Sequence, residues 1–317
     1  MRRHLLDISD LSRPEVARIL RESHRFSEVM DRDIKKVPSL RGRSIINLFF
    51  EASTRTSTSF ELAGKRLSAD VVNVKGSGSS VEKGESLKDT VLTLDAYAPD
   101  VLVIRHPAVG AAKLATGYTG AAVINAGDGA HAHPTQALLD IYTVEREVGP
   151  IDGLHVAFVG DVLHSRVARS GALAFRLMGA HVSLIGPATL MPRDAEDALD
   201  ATVGYDIADI AEADLVYVLR MQRERMGAGG HVPTLREYAA MYGVNHGRLR
   251  PGQRVMHAGP MNRGVEISPA LADDPVALVE RQARYGMVVR MAVLHDVIAQ
   301  SGEDATDSPP LARVQEV

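Results

Sequence analysis

Ser53-Thr54-Arg55-Thr56 lies between an apolar run and the start of a helical pattern, and its residue types suit a phosphate. A helix N-terminus has unpaired N–H groups and the positive end of the helix dipole. The Ser and Thr hydroxyls and the Arg55 guanidinium add donors for the same oxygens. Read alone, the tetrapeptide fits an N-cap beside a surface arginine equally well. Arg105, followed by His106 and Pro107, closes the apolar run Asp100–Arg105 (DVLVIR). Open parallel sheets bind their ligands at the carboxyl ends of strands, and a structural ion pair is the alternative for Arg105.

Asn125–Gln136 (NAGDGAHAHPTQ) reads as a polar, Gly-rich turn leading into a helix over 135–148, from whose start His133 and Gln136 project. A single histidine in such a place is more often a hydrogen-bonded structural ring. No carboxylate or third histidine at helical spacing supports His131-Ala132-His133 as a metal site, so no metal is expected. Val156–Arg166 (VAFVGDVLHSR) has the strand–Gly–Asp–loop–helix outline of a nucleotide-binding turn. It lacks G-x-G-x-x-G, which disfavours a nicotinamide cofactor, and an arginine, Arg166, opens its helix. In Leu219–Arg225 (LRMQRER), Arg220 and Gln222 stand just past another strand end, although that run alone reads as a solvated helix start. Arg55, Arg105, Arg166 and Arg220, with Lys83 on the loop Gly76–Gly84 (GSGSSVEKG), place cations at strand ends and loops of a chain whose net charge is -4. That concentration points to a small polyanion as ligand. It does not name the reaction.

The elements that must position these residues follow from periodicity. Residues 1–44 read as two polar helical stretches, one with Pro14 in its first turn and Val16, Ile19 and Leu20 on one face. Ser44–Phe50 (SIINLFF) is a buried strand, and Phe60, Ala63 and Leu67 share one face of the helix that begins near Thr56. Strands over 69–74, 100–105 and 121–126 alternate with helices, one of them at 86–96. A second series supplies strands at 155–159, 181–185, 213–219 and 253–257 and a helix at 166–178. Gly286–Ile298 (GMVVRMAVLHDVI) is apolar almost throughout and reads as a buried helix, whereas Ser301–Val317 is polar and frays. The alternation predicts an α/β protein of two domains, each a parallel β-sheet flanked by helices.

Composition sets outer bounds. A length of 317 residues suggests two domains, and 45% apolar with 24% charged residues is globular. Thirty-six Lys+Arg against forty Asp+Glu leaves no basic footprint for nucleic acid, and six Phe, eight Tyr and no Trp leave few rings for stacking bases. The absence of Cys excludes disulfides, thiolate metal sites and a thiol nucleophile. Nothing in MRRHLLDISDLSRPEV reads as a signal peptide, and no apolar run reaches the ~18 residues of a membrane span. A soluble cytoplasmic protein with no membrane or nucleic-acid partner is therefore expected.

F-F-E-A-S-T-R-T, R-H-P, H-P-T-Q-A-L-L-D, G-D-V-L-H-S-R-V, L-R-M-Q-R-E-R and H-A-G-P-M-N-R-G occur in the order found in aspartate carbamoyltransferase catalytic chains. The resemblance runs from about His4 to Ile298. It implies the aspartate/ornithine carbamoyltransferase fold, with a carbamoyl-phosphate-binding domain over 1–134 completed by the helix 286–300. An aspartate-binding domain over 135–285 and a flexible tail over 301–317 complete the implied organisation. The implied reaction makes N-carbamoyl-L-aspartate and phosphate from carbamoyl phosphate and L-aspartate, the committed step of pyrimidine synthesis, with no cofactor. By the resemblance, Ser53, Thr54, Arg55 and Thr56 bind the phosphate, and Arg105 reaches it too. Thr56, Arg105 and His133 lie near the carbonyl oxygen, and Gln136 meets the carbamoyl amino group. Arg166, Arg220 and Gln222 hold the aspartate carboxylates, and Ala258 and Gly259 contribute backbone carbonyls. Ser79 and Lys83 match loop residues that enter the neighbouring subunit's site, which implies a homotrimer with shared active sites. Whether the trimer works alone, with regulatory chains or with dihydroorotase stays open.

The chain departs from the family pattern at Ser57 (usually Arg), at Val167 (Thr in some members) and in the loop His257–Pro260, which lacks the first Pro of H-P-x-P. By analogy, Gly259-Pro260 is a candidate cis bond. An ornithine-using relative is disfavoured, because Arg220 and Gln222 stand where an acidic segment would meet a cationic side chain. An inactive scaffold is disfavoured because every expected cation is present.

Overall fold

The computed structural model describes residues 4–76, 84–226 and 234–303. Ser79 and Lys83 lie outside these residues.

The first sheet contains β1 (Ser44–Phe49), β2 (Asp70–Lys75), β3 (Val101–His106) and β4 (Ala122–Asp128), all parallel, in the order β2-β1-β3-β4. The second contains β5 (His155–Val159), β6 (His181–Ile185), β7 (Thr202–Gly204), β8 (Leu215–Val218) and β9 (Arg254–Met256), also parallel, in the order β7-β6-β5-β8-β9. Both orders reverse direction beside their first strand. The first sheet therefore has a switch point between β1 and β3, the second between β5 and β8. Ligands of open α/β sheets settle outside the carboxyl ends of the strands at such points.

The helices form where the apolar periodicity places them. α1 (Arg13–Met30) carries Pro14 in its first turn and buries Val16, Ile19 and Leu20. α2 (Thr54–Arg66) buries Phe60 and Ala63, with Leu67 at its C-cap. α3 (Leu87–Asp95) and α4 (Ala111–Ala115) follow, and then α5 (Pro134–Glu147), which is buried for most of its length. α6 (Arg166–Leu177) crosses from β5 to β6, and α7 (Ala195–Leu199), α8 (Leu235–Tyr242) and α9 (Pro269–Ala272) are short. α10 (Val279–Glu303) begins about two turns earlier than the apolar run suggests and buries Val288, Val289, Met291, Ala292, Val293 and Leu294. It packs against α1, α2 and α5 together, so its lack of a polar face has a direct cause. None of the described helices is long and apolar enough to cross a membrane.

Two expectations need correction. Only one α-helix forms between residues 4 and 43, because Pro38 and Gly42, the latter at φ 78°, interrupt the second stretch. β4 also continues through Asn125 and Gly127 to Asp128, so the Gly-rich turn starts later than its composition suggests.

Candidate active site

An open cleft of ≈ 1020 Å³ lies between the two sheets, and loops from both switch points line it. From the first come Ser53, Thr54, Arg55 and Thr56 after β1 and Arg105 at the end of β3. His133 and Gln136 enter from the start of α5. The second sheet supplies Arg166 after β5, Arg220 and Gln222 after β8, and Ala258 and Gly259 after β9. The described residues expected to hold substrate thus all face one cavity.

At the start of α2, Ser53 is the N-cap, but its hydroxyl makes no capping bond to the helix, which leaves it available to a ligand. Thr56 is buried, while Arg55 is exposed and has no hydrogen bond or ion pair with another described residue. Gly259, at φ 65°, approaches Arg55 so closely that a Cβ there would stand 2.6 Å from Arg55 Cζ. The positive φ favours glycine there, whereas the Arg55 guanidinium, at the end of a flexible side chain, would have to move aside for a Cβ. The bond from Gly259 to Pro260 is cis. Gly259 N–H donates to His257 Nδ1 at 2.8 Å, and His257 Nε2 lies 3.3 Å from the fully buried Glu266.

Arg105 Nη1 donates to Ala126 O at 3.3 Å, and its Nε lies 3.3 Å from Glu51 Oε2. Burial and then the Arg166 charge push its pKa down to about 9, with Glu51 opposing, so the guanidinium keeps its proton at neutral pH. His133 is buried, and burial followed by Arg105, Arg166 and Arg290 holds its pKa well below the ordinary imidazole value. Its ring is neutral at neutral pH, and Nδ1 has no partner among the described residues. It can act as an uncharged hydrogen-bonding group but not as a strong acid.

Arg166 is buried at the start of α6, with Nη2 donating to Glu51 Oε2 at 2.9 Å and Nη1 to Gly129 O at 3.0 Å. Gly127 makes room for it, since a Cβ there would lie 2.9 Å from Arg166 Cζ. Arg220 pairs with Glu224, one turn along the chain. Gln222 spends its amide N–H on His164 O at 3.0 Å, and its backbone N–H donates to Asp161 Oδ2 at 3.1 Å.

Residues that spacing did not single out complete the cleft. Glu51 binds Arg166, lies beside Arg105 and reaches Arg225 at 3.6 Å, so one carboxylate serves three guanidiniums. Arg290, buried on α10, donates to Ser59 Oγ at 2.8 Å and lies over the Phe60 ring. A lone charge inside the apolar run GMVVRMAVL was the available signal for Arg290. Glu51 had none beyond its place in the loop. His131 does not face the cleft, and the expectation that no carboxylate accompanies it fails: Asp128 lies 3.2 Å from its Nδ1. No cluster of three metal-ligating residues occurs among the described residues.

Residues 3–146 match the family model for the aspartate/ornithine carbamoyltransferase carbamoyl-P binding domain, and residues 152–297 that for the Asp/Orn binding domain. The aspartate carbamoyltransferase catalytic subunit of Sorangium cellulosum is 52% identical over 97% of both chains. Two structures of the aspartate transcarbamoylase of Trypanosoma cruzi also resemble the chain. That in complex with carbamoyl phosphate has a TM-score of 0.85 and 33% identity, covering 92% of this chain and 95% of the other. That with carbamoyl phosphate and aspartate has a TM-score of 0.83 and 33% identity, covering 92% and 96%. Two matched domains, half the residues shared with a catalytic subunit across nearly its full length, and a cleft fed by both sheets lead to one conclusion: the chain belongs to the aspartate/ornithine carbamoyltransferase family, among its aspartate carbamoyltransferase catalytic subunits.

Proposed function

We infer that the cleft transfers the carbamoyl group of carbamoyl phosphate to the amino group of L-aspartate, giving N-carbamoyl-L-aspartate and phosphate, the committed step of pyrimidine synthesis. The observation that carries this reading is the convergence of cations from both switch points on one cavity. One set suits a phosphate and the other a dicarboxylate.

In this reading Ser53, Thr54, Arg55, Thr56 and Arg105 bind the phosphate. Thr56, Arg105 and the neutral His133 donate to the carbamoyl carbonyl oxygen, and Gln136 accepts from its amino group. Arg166, Arg220 and Gln222 hold aspartate, and the 258–259 backbone closes over the pair. The neutral amine attacks the carbonyl carbon, a C–N bond forms, and the C–O bond to phosphate breaks. The departing phosphate takes the amine proton, so no side chain needs to act as base. Negative charge grows on the carbonyl oxygen, and each donor placed there contributes on the order of 3 kcal/mol. Fixing both anions in one cleft removes much of the entropic cost of their encounter.

The assay that tests this supplies carbamoyl phosphate with either L-aspartate or L-ornithine and measures the ureido product. Product is expected with aspartate alone. Product with ornithine would overturn the assignment of Arg220 and Gln222.

Ser79 and Lys83 complete the site from a neighbouring subunit of a cytoplasmic homotrimer. Lys83→Gln should abolish activity and Arg55→Ala should leave about 1% or less, yet trimers exchanged between the two variants should regain more than either has. Verified exchange with no returning activity would exclude shared sites.

A further inference from the structure

Asp140 lies on α5, one turn beyond Gln136, and is fully buried. Three side chains from three elements donate to its carboxylate. Gln136 Nε2 reaches Oδ1 at 3.0 Å, Gln282 Nε2 of α10 reaches Oδ1 at 2.7 Å, and the Tyr217 hydroxyl of β8 reaches Oδ2 at 2.8 Å. The Gln282 amide is held at its other end too, because Oε1 accepts the His257 backbone N–H at 3.0 Å.

A carboxylate accepts hydrogen bonds and donates none, whereas a glutamine amide presents a donor on one side and an acceptor on the other. With its NH2 committed to Asp140, Gln136 keeps Oε1 for whatever occupies the cleft. A carbamoyl NH2 carries only donors and needs such an acceptor. An amide turned end for end would set NH2 against NH2. Burial raises the Asp140 pKa to about 7, while Gln282, Tyr217, Gln136 and Arg290 pull it back. The inward-pointing donors match the ionised form.

We propose that Asp140 is a positioning residue that holds the Gln136 amide in its acceptor orientation, so that the cleft selects an acyl phosphate bearing NH2 over one bearing a methyl group. The proposal rests on the reading that Gln136 meets the carbamoyl amino group. It also explains the expense of a buried carboxylate at this place: a neutral amide here would not dictate which way Gln136 faces.

The test compares kcat/KM for carbamoyl phosphate with that for acetyl phosphate, in which methyl replaces NH2, at saturating aspartate. Asp140→Ala should lower this ratio about tenfold, as should Gln136→Ala, and the double variant should lower it no further. If Asp140→Ala does not fold, Asp140→Leu with Tyr217→Phe fills the space and removes one stranded donor, and the same drop is expected. An equal fall for both acyl phosphates, leaving the ratio unchanged, would mean that Asp140 only supports the fold. A ratio that collapses in Gln136→Ala but not in the Asp140 variants overturns this inference alone. A ratio unchanged in Gln136→Ala overturns the assignment of Gln136, and the inference falls with it.

Discussion

At the first sheet's switch point Arg55 meets no carboxylate among the described residues, whereas at the second sheet's switch point Arg166 and Arg220 are each already held by one, Glu51 and Glu224. Both regions concentrate guanidiniums at strand ends, but they are prepared differently. The start of α2 offers donors with no partner among the described residues, so an anion there would displace no carboxylate, although Arg105 nearby already lies beside Glu51. A dicarboxylate arriving at Arg166 and Arg220 must share or replace partners that the chain supplies itself. Charge-assisted pairs of this kind fix geometry before the ligand arrives, and a ligand gains only the difference between its own bonds and those it displaces. The lesson is that equal counts of arginine do not imply equal affinity: the partners decide.

Substitutions can break or sharpen this contrast. Arg55→Ala removes a cation that no described carboxylate holds and should lower kcat by about 10²- to 10³-fold, with an unchanged circular dichroism spectrum. A smaller loss would mean that the start of α2 carries less of the phosphate than its geometry suggests. Arg220→Ala should raise KM for aspartate by roughly 10- to 100-fold while inorganic phosphate inhibits as before. A matching loss of phosphate inhibition would place Arg220 on the wrong substrate. Glu51→Gln should move the two regions in opposite directions. With Arg166 released, kcat/KM for aspartate should fall about tenfold, and with a negative charge gone from beside Arg105, phosphate should bind as well as before or better. Parallel losses on both sides would show that Glu51 holds the cleft together rather than dividing it.

Much of this arrangement was legible in the sequence, because both sheets obey the rule that chemistry collects where strand order reverses. Local pattern puts Ser53–Thr56, Arg105, Arg166 and Arg220 at strand ends, but only their combination and the family resemblance separate Ser53–Thr56 from a plain N-cap and Arg220 from a solvated helix start. Glu51 and Asp140 could not. Their roles depend on partners far away in the chain, and neither spacing nor composition reports such pairings: Glu51 meets Arg166 and Arg225, and Asp140 meets Tyr217 and Gln282. The second helix expected before residue 44 failed for a local reason, the breaking power of Pro38 and Gly42, which polar periodicity had outweighed. Ser57 and Val167 show how little two family departures matter to the frame. Ser57 sits within the first turn of α2, and Val167 lines the cleft with apolar atoms where a hydroxyl contact is absent.

α10 has a bearing on how the molecule is made. It packs on α1, α2 and α5, and it brings Gln282 and Arg290 to the cleft, yet in chain order it comes after every other described helix. While the ribosome is still translating, α1, α2 and α5 expose the apolar surface that α10 will later cover, including Phe60, over whose ring Arg290 comes to lie. The nascent protein therefore holds a sticky half-built core until α10 emerges. Neither the core nor the lining of the cleft is complete before that helix folds.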